Sequence, residues 1–99
     1  MESRKHREIA EKIATQKSAS YHSDRGVDIR TTEQAIEVEV DSGKFPEAKK
    51  QLAGTTKTPY LAVPNNLLSK ALDFVDGTRL GVMNENGNIV KRGRKKKAK

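Results

Sequence analysis

The segment from Ala35 to Asp41 alternates strictly between apolar and acidic residues, and this pattern limits the possible folds more than any other part of the chain. A period of two residues is the period of a β-strand, so the segment has one apolar face and one acidic face. The apolar face carries Ile36, Val38 and Val40. The acidic face carries Glu37, Glu39 and Asp41. We therefore predict a strand over residues 35–41.

A second strand is predicted just before it, over residues 27–31, after a turn formed by Asp24, Arg25 and Gly26. Its alternation puts Val27 and Ile29 on one face and Asp28 and Arg30 on the other. If the two strands pair, Asp28 shares a face with Glu37 and Glu39. Three carboxyl groups would then converge on a small volume.

The remaining pattern predicts helices on either side of these strands. Residues 2–17 have apolar side chains at helical spacing and no glycine or proline, and residues 18–23 are short enough for a first strand. Pro46 suits the first turn of a helix that Gly54 ends.

The second half of the chain begins with the run "PYLAVP", which predicts a buried strand. Asn65 is a suitable N-cap for a helix over residues 66–76, and Gly77 is a suitable exit. Asn86 and Gly87 lie between two short apolar runs and predict a hairpin. The expected fold is an α/β mixed sheet flanked by helices, in the order αβββαβ followed by a helix and a C-terminal hairpin.

Composition limits the size of the core and the types of chemistry. A chain of 99 residues with 33% hydrophobic residues and no tryptophan is one small domain, to which a homodimer interface could add apolar burial. The absence of cysteine excludes disulfides, thiolate metal sites and cysteine nucleophiles. No segment resembles a signal peptide or a membrane span, so we expect a soluble, intracellular protein in the cytoplasm with no membrane partner.

The net charge of +7 is concentrated at the C-terminus. Seven basic residues and no acidic residue lie between Lys91 and Lys99, so the first 90 residues are formally neutral. We predict a single domain over residues 1–91 and a disordered basic tail over residues 92–99. Such a tail either adds salt-sensitive affinity for phosphates or serves only as a solubilising terminus, and the sequence favours neither.

The converging carboxyl groups suggest a chemistry. Their mutual repulsion is relieved by a cation, and Mg²⁺ takes oxygen ligands from one or two carboxylates while it keeps water and accepts a phosphate oxygen. A bound Mg²⁺ acidifies its water and stabilises the charge that develops on an attacked phosphodiester. Metal-dependent phosphodiester hydrolysis is the function that this pattern indicates. The alternative is a solvated strand face with no chemical role.

The segments "VDI" and "IEVEV", the helix that carries Gln51 and the run "PYLAVP" together resemble the PD-(D/E)XK, or restriction endonuclease-like, superfamily. The resemblance covers roughly residues 8–64, and the following helix and hairpin suit small members such as archaeal Holliday-junction resolvases. It implies that Asp28 and Glu37 hold Mg²⁺ or Mn²⁺ with the backbone carbonyl of Val38. It also implies that Asp28, Glu37 and Glu39 are catalytic and that Gln51 lies near the phosphate.

Glu39 departs from this family pattern, because it stands where most members have a lysine. A carboxylate cannot supply positive charge to the phosphate, but it can bind a second cation or orient the attacking water. Lys44, Lys49 and Lys50 are close in sequence and could replace the missing lysine.

Basic side chains complete the predicted interface with double-stranded or branched DNA. The residues expected to contact nucleic acid are Arg25, Arg30, Lys49, Lys50, Gln51, Arg92, Arg94, Lys95, Lys96 and Lys97. His6 and His22 lack metal-ligand spacing and are expected at the surface.

Three hypotheses follow. The first is a Mg²⁺-dependent endonuclease, acting as a homodimer in junction resolution or DNA repair. The second is a non-catalytic nucleic-acid-binding module of the same fold. The third is a basic structural protein associated with a ribonucleoprotein.

Overall fold

The apolar stripe of the N-terminal segment forms helix α1 (Arg4–Gln16), whose buried residues are Ile9, Ala10, Ile13 and Ala14. The computed structural model describes residues 4–21 and 27–95. Within these ranges the protein is an α/β domain in which three helices pack on a five-stranded mixed sheet. The predicted class is therefore confirmed.

The strands follow one another across the sheet in chain order, β1 (Ile29–Arg30), β2 (Gln34–Val38), β3 (Thr58–Ala62), β4 (Gly81–Met83) and β5 (Ile89–Lys91). Strands β2, β3 and β4 are parallel, whereas β1 and β5 are antiparallel to their neighbours. Tyr21 forms an isolated antiparallel bridge to Ile29, which extends the sheet beyond β1. Residues 22–26 of the predicted first strand and turn lie outside the described residues.

Each face of the sheet has its own apolar core. Helix α1 covers the face that carries Ile36 and Val38 of β2. Helices α2 (Phe45–Ala53) and α3 (Leu68–Val75) cover the opposite face. Strand β3 lies between β2 and β4 and is almost wholly buried, as its apolar run predicts. The acidic strand β2 is thus held between two helical layers.

Several boundaries agree with the sequence and some do not. Pro46 lies in the first turn of α2, Gly54 caps the C-terminal end of that helix, and Gly87 adopts a positive φ of 82° in the hairpin, as predicted. Asn65, however, begins a 3-10 turn (Asn65–Leu67), and its side chain caps no helix. The predicted N-cap is therefore wrong, because the chain first makes a tighter turn after Pro64.

The two acidic strands are shorter than predicted. Strand β2 ends at Val38, so Glu39 lies just beyond it, and β1 contains only Ile29 and Arg30. The prediction that Val27 and Ile29 share a face is also wrong, since Val27 packs against the α2 and α3 side and Ile29 against the α1 side. The chain bends at Asp28, which breaks the alternation.

The C-terminal segment (residues 92–95) lies along the edge of the sheet where the parallel strands begin. The Arg94 N–H donates to Arg79 O at 2.8 Å, and the Lys95 Nζ lies 2.9 Å from Glu33 Oε1. The Arg79 guanidinium also donates to the carbonyls of Ala53 and Thr55, both at 3.1 Å. This part of the predicted tail therefore contacts the domain, and residues 96–99 lie outside the described residues.

Among residues 4–21 and 27–95, no helix is long and apolar enough to cross a membrane.

The close packing of the C-terminal segment gives a stability test. A Cβ on Gly93 would lie 2.5 Å from Pro59 O and 3.0 Å from Gly81 N, and both of these are backbone atoms. We expect Gly93→Ala to lower the free energy of unfolding by about 1–3 kcal/mol in urea titrations, because the backbone must shift. Gly54→Ala is the control, since a Cβ there meets nothing within 4 Å. Equal stability of the two variants would contradict the packing described for Gly93.

Candidate metal and phosphodiester site

Asp28 and Glu37 lie where the pairing of β1 and β2 ends. The carboxyl group of each residue accepts a hydrogen bond from a backbone N–H on the other side of that pairing. The Val38 N–H donates to Asp28 Oδ2 at 2.9 Å, and the Asp28 N–H donates to Glu37 Oε1 at 3.0 Å. Each carboxyl group thus accepts from an N–H that the shortened ladder leaves without a strand partner. These contacts bring the two residues close together, whereas the predicted shared face stays a prediction.

Asp28 is buried, with 5% of its surface exposed, which is unusual for a carboxyl group in a small domain. Burial of a charge is costly unless the group is hydrogen-bonded and paired. Two donors reach Asp28 Oδ2, the Val38 N–H and the His6 imidazole, whose Nε2 lies 3.2 Å away. These contacts explain how the carboxyl group is tolerated inside the fold.

His6 corrects one sequence-based prediction. Its side chain is 14% exposed and contacts Asp28, whereas the absence of metal-ligand spacing had suggested a surface residue. His22, the other histidine, lies outside the described residues. The burial of His6 was predictable from the sequence, because His6 lies three residues before Ile9 and four before Ala10, on the buried stripe of α1.

The pKa of Glu37 is strongly shifted. Burial raises the pKa of Glu37 to about 8, and the negative charge of Asp28 adds to the rise, as does Glu39 to a lesser degree. The hydrogen bond from the Asp28 N–H and the proximity of His6 act in the opposite direction. At neutral pH Glu37 is therefore mainly protonated, so the repulsion within the pair is relieved by a proton.

Glu39 is the third member of the carboxyl cluster, by which we mean Asp28, Glu37 and Glu39. It is half-buried, and burial raises its pKa above the ordinary value. His6, a hydrogen bond from the Val40 N–H and the charge of Lys44 oppose that rise. Of the three lysines proposed to replace the family's lysine, Lys44 is therefore the one whose charge acts on the cluster.

The cluster lies at the edge of the sheet where the parallel strands end. Val38 and Ala62 are the last residues of β2 and β3 and are paired in register. In open α/β sheets ligands bind at this edge where the strand order reverses, and the strands of this sheet keep their chain order. The position alone therefore does not indicate a binding site.

Within the described residues, no group of three or more His, Cys, Asp or Glu side chains is arranged to hold a metal ion. The donors near Asp28 contact Oδ2, and among the described residues no donor contacts Asp28 Oδ1 or Glu37 Oε2. Asp28 Oδ1 and Glu37 Oε2 therefore have no donor within the described residues, and their predicted role as metal ligands stays a prediction. The role of the Val38 carbonyl stays a prediction.

The predicted nucleic-acid contacts are spread over the domain. Arg30 is exposed on β1, while Lys49, Lys50 and Gln51 are exposed on α2. Arg92 and Arg94 are exposed in the C-terminal segment, where Lys95 also pairs with Glu33. Arg25, Lys96 and Lys97 lie outside the described residues. No described contact joins these side chains to the carboxyl cluster, and their role in binding stays a prediction.

Comparison with known proteins identifies no relative. No protein-family model matches the sequence, no curated protein matches it, and no solved structure matches its fold.

The raised pKa of Glu37 predicts how stability depends on pH. A group whose pKa is raised on folding stabilises the protein fully below its unfolded value, here 4.5, and this contribution is lost as the pH rises through about 8. Glu37→Gln keeps the acceptor for the Asp28 N–H but cannot ionise. In metal-free buffer we expect this variant to match the wild type near pH 4 and to exceed its unfolding free energy by up to about 5 kcal/mol at pH 9.

Urea titrations at both pH values measure this difference. Glu47→Gln, at an exposed position in the first turn of α2, controls for the loss of one carboxyl group. A Glu37→Gln variant that is no more stable than the wild type at pH 9 would contradict the raised pKa.

Proposed function

We propose that this protein is a Mg²⁺- or Mn²⁺-dependent endonuclease with the restriction endonuclease-like fold, which hydrolyses phosphodiester bonds of double-stranded or branched DNA in junction resolution or repair. The observation that carries the proposal is the meeting of Asp28 and Glu37 at the edge where the parallel strands end. Two acidic side chains nine residues apart are held together there, with Glu39 directly beyond the strand.

The order of the elements supports the proposed family. A helix is followed by the bridge at Tyr21, by β1 and β2, by α2 and then by β3, which is parallel to β2. This is the αβββαβ order of the family, with the short bridge in the place of the first strand. The proposed metal-binding residues lie on β2 and at the bend before β1, where the resemblance implies them.

A divalent cation is compatible with the donors present. Asp28 Oδ1 and Glu37 Oε2 are hard oxygen ligands, and Mg²⁺ commonly binds one or two carboxylates and retains water. When bound, the ion would supply charge stabilisation at the phosphate and a more acidic water. Because Glu37 is mainly protonated at neutral pH, it must release its proton before it serves as a charged ligand.

The chain's own residues account for the remaining steps. Glu39 is half-buried and has a raised pKa, which suits a group that accepts a proton from the attacking water. Lys44 is close enough to affect Glu39 and supplies positive charge on the side where the family's lysine is missing. The Val38 N–H holds Asp28 in place, so that its second oxygen is available.

The non-catalytic nucleic-acid-binding module is a second candidate that one observation favours. The hydrogen bonds between Asp28, Glu37 and the strand backbones give both carboxyl groups a purely structural use, because they satisfy N–H groups where the strands part. In that case the acidic residues fix the fold, and the basic residues alone contact nucleic acid. The basic ribonucleoprotein-associated protein remains the alternative in which Glu39 has no chemical role.

A homodimer in the cytoplasm belongs to the same proposal. The resemblance to small resolvases suggests two sites presented to a branched substrate, and the cysteine-free composition suits a reducing compartment.

The catalytic proposal predicts that the purified protein cuts DNA in the presence of Mg²⁺ or Mn²⁺. Asp28→Asn or Glu37→Gln should abolish cleavage, since each removes a charged ligand while it keeps the side-chain shape. DNA binding should be unchanged or tighter in Asp28→Asn, because repulsion of the phosphate falls, and unchanged in Glu37→Gln, because Glu37 is already mainly protonated at neutral pH. Linear, nicked and four-way-junction DNA are the substrates, and Glu47→Gln is the control variant.

Glu39→Lys separates two roles of that residue. If Glu39 only occupies the lysine position, the variant keeps or gains activity. If Glu39 is a base or a metal ligand, the loss matches that of Asp28→Asn. A folded, DNA-binding wild type that cuts none of the substrates with either metal would favour the non-catalytic module.

The basic tail predicts a salt-dependent component of DNA binding. Replacement of Lys96, Lys97 and Lys99 by glutamine leaves the described contacts of residues 92–95 intact. We expect weaker binding to duplex DNA, and the slope of log K against log salt should flatten by about 0.9 for each phosphate that the tail no longer neutralises. A matched variant with Lys5, Lys17 and Lys70 replaced by glutamine changes the net charge equally. Equal slopes for the two variants would mean that the tail has no specific part in binding.

A further inference from the structure

His6 reaches the carboxyl cluster from a different element, helix α1. The buried residues Ile9, Ala10, Ile13 and Ala14 fix α1 on the sheet. The first turns of the helix thereby carry the imidazole to Asp28, with the His6 Nε2 atom 3.2 Å from Asp28 Oδ2. The side chains are 14% and 7% exposed, so this contact is largely shielded from water. It is not an incidental surface pair.

The other side of the imidazole ring is also held. The Tyr21 hydroxyl lies 3.2 Å from His6 Nδ1, and Tyr21 itself is anchored by its backbone bridge to Ile29. If the hydroxyl donates to Nδ1, the ring proton lies on Nε2 and is donated to Asp28. In that tautomer the network gives Nε2 the donor role toward Asp28.

Both donors to Asp28 contact the same oxygen. Oδ2 accepts from Val38 on β2 and lies against His6 on α1, so two separate elements fix the plane of the carboxyl group. No donor among the described residues contacts Oδ1. This arrangement orients one oxygen of Asp28 and leaves the other for a ligand. Groups that hydrogen-bond to metal-binding carboxylates orient them and strengthen metal binding.

We propose that His6 is a positioning residue, which acts through Nε2 to hold Asp28 in the orientation that binds the divalent cation. The inference rests on the proposed nuclease function. The role of His6 follows from the contact between α1 and Asp28 in this chain, and not from the resemblance to the nuclease family. Tyr21 supports His6 by fixing the ring.

Two substitutions isolate the role of Nε2. His6→Gln places an amide N–H close to the position of Nε2, whereas His6→Asn places it close to the position of Nδ1. We expect Mn²⁺ binding to the full-length chain, measured by electron paramagnetic resonance, to weaken about 10- to 100-fold in His6→Asn and in His6→Ala. His6→Gln should stay within a few-fold of the wild type. Circular dichroism and urea titration confirm that each variant is folded, and the Gln and Asn pair carries the test if the alanine variant does not fold.

A second measurement needs no metal. The Val38 N–H reports the orientation of Asp28, because it donates to Oδ2. In the metal-free protein we expect the Val38 amide resonance to shift in His6→Asn and to stay close to its wild-type position in His6→Gln. A residue that contributes only to packing would lower stability without this difference between the two variants.

The outcomes separate this inference from the proposed function. If the wild type binds Mn²⁺, and both variants bind it equally with the Val38 amide unmoved, the role of His6 is overturned while the function stands. If the wild type binds no Mn²⁺, the metal-dependent function fails, and the positioning role fails with it. Weaker binding in His6→Asn, together with rescue in His6→Gln, supports the inference.

Discussion

The bend at Asp28 is the constraint on which this fold and its candidate site depend. If the chain stayed regular there, Asp28 would simply oppose Glu37 in a longer ladder. Instead, Val27 packs in one core and Ile29 in the other. The two carboxyl groups accept hydrogen bonds from the backbone N–H groups that have no strand partner at the bend. The strand pairing ends at this bend, and Asp28 is buried there. Burial raises the pKa of the neighbouring Glu37, and the charge of Asp28 adds to the rise.

The structural role of these carboxyl groups and their proposed chemical role fall on the same residues. A carboxyl group that caps a strand end needs a nearby N–H, and a metal ligand needs a fixed orientation. The Asp28 side chain meets both requirements, because a carboxylate has two oxygens and only Oδ2 is used within the described part of the chain. Glu37 likewise accepts a hydrogen bond through one oxygen, Oε1.

Much of the fold could be predicted because it is encoded locally. The apolar run of β3, the proline in the first turn of α2 and the glycine turn of the hairpin each have a short-range physical cause. The bend at Asp28 could not be predicted, because residues 27–30 alternate regularly between apolar and charged side chains and nothing in the local sequence favours a break. Asn65 was assigned from its cap preference alone, whereas the turn after Pro64 determines where α3 begins.

The candidate site was predictable in part for the same reason. Glu37 and Glu39 follow from the period of one strand, and Asp28 follows from the pairing of two. The contribution of His6 depends on how a helix packs across the sheet, which is a long-range relation that spacing does not show. Its position on the buried stripe of α1 indicates burial but not the identity of its partner.

The placement of the C-terminal segment puts basic side chains at one end of β2, whereas acidic side chains lie at the other end. Lys95 pairs with Glu33 where β2 begins, while Glu39 lies just past the point where β2 ends. Six residues of extended chain separate these glutamates by about 20 Å. That length equals the rise of about six base pairs of duplex DNA. Under the proposed function, a duplex that contacts both ends would therefore span about six base pairs along β2.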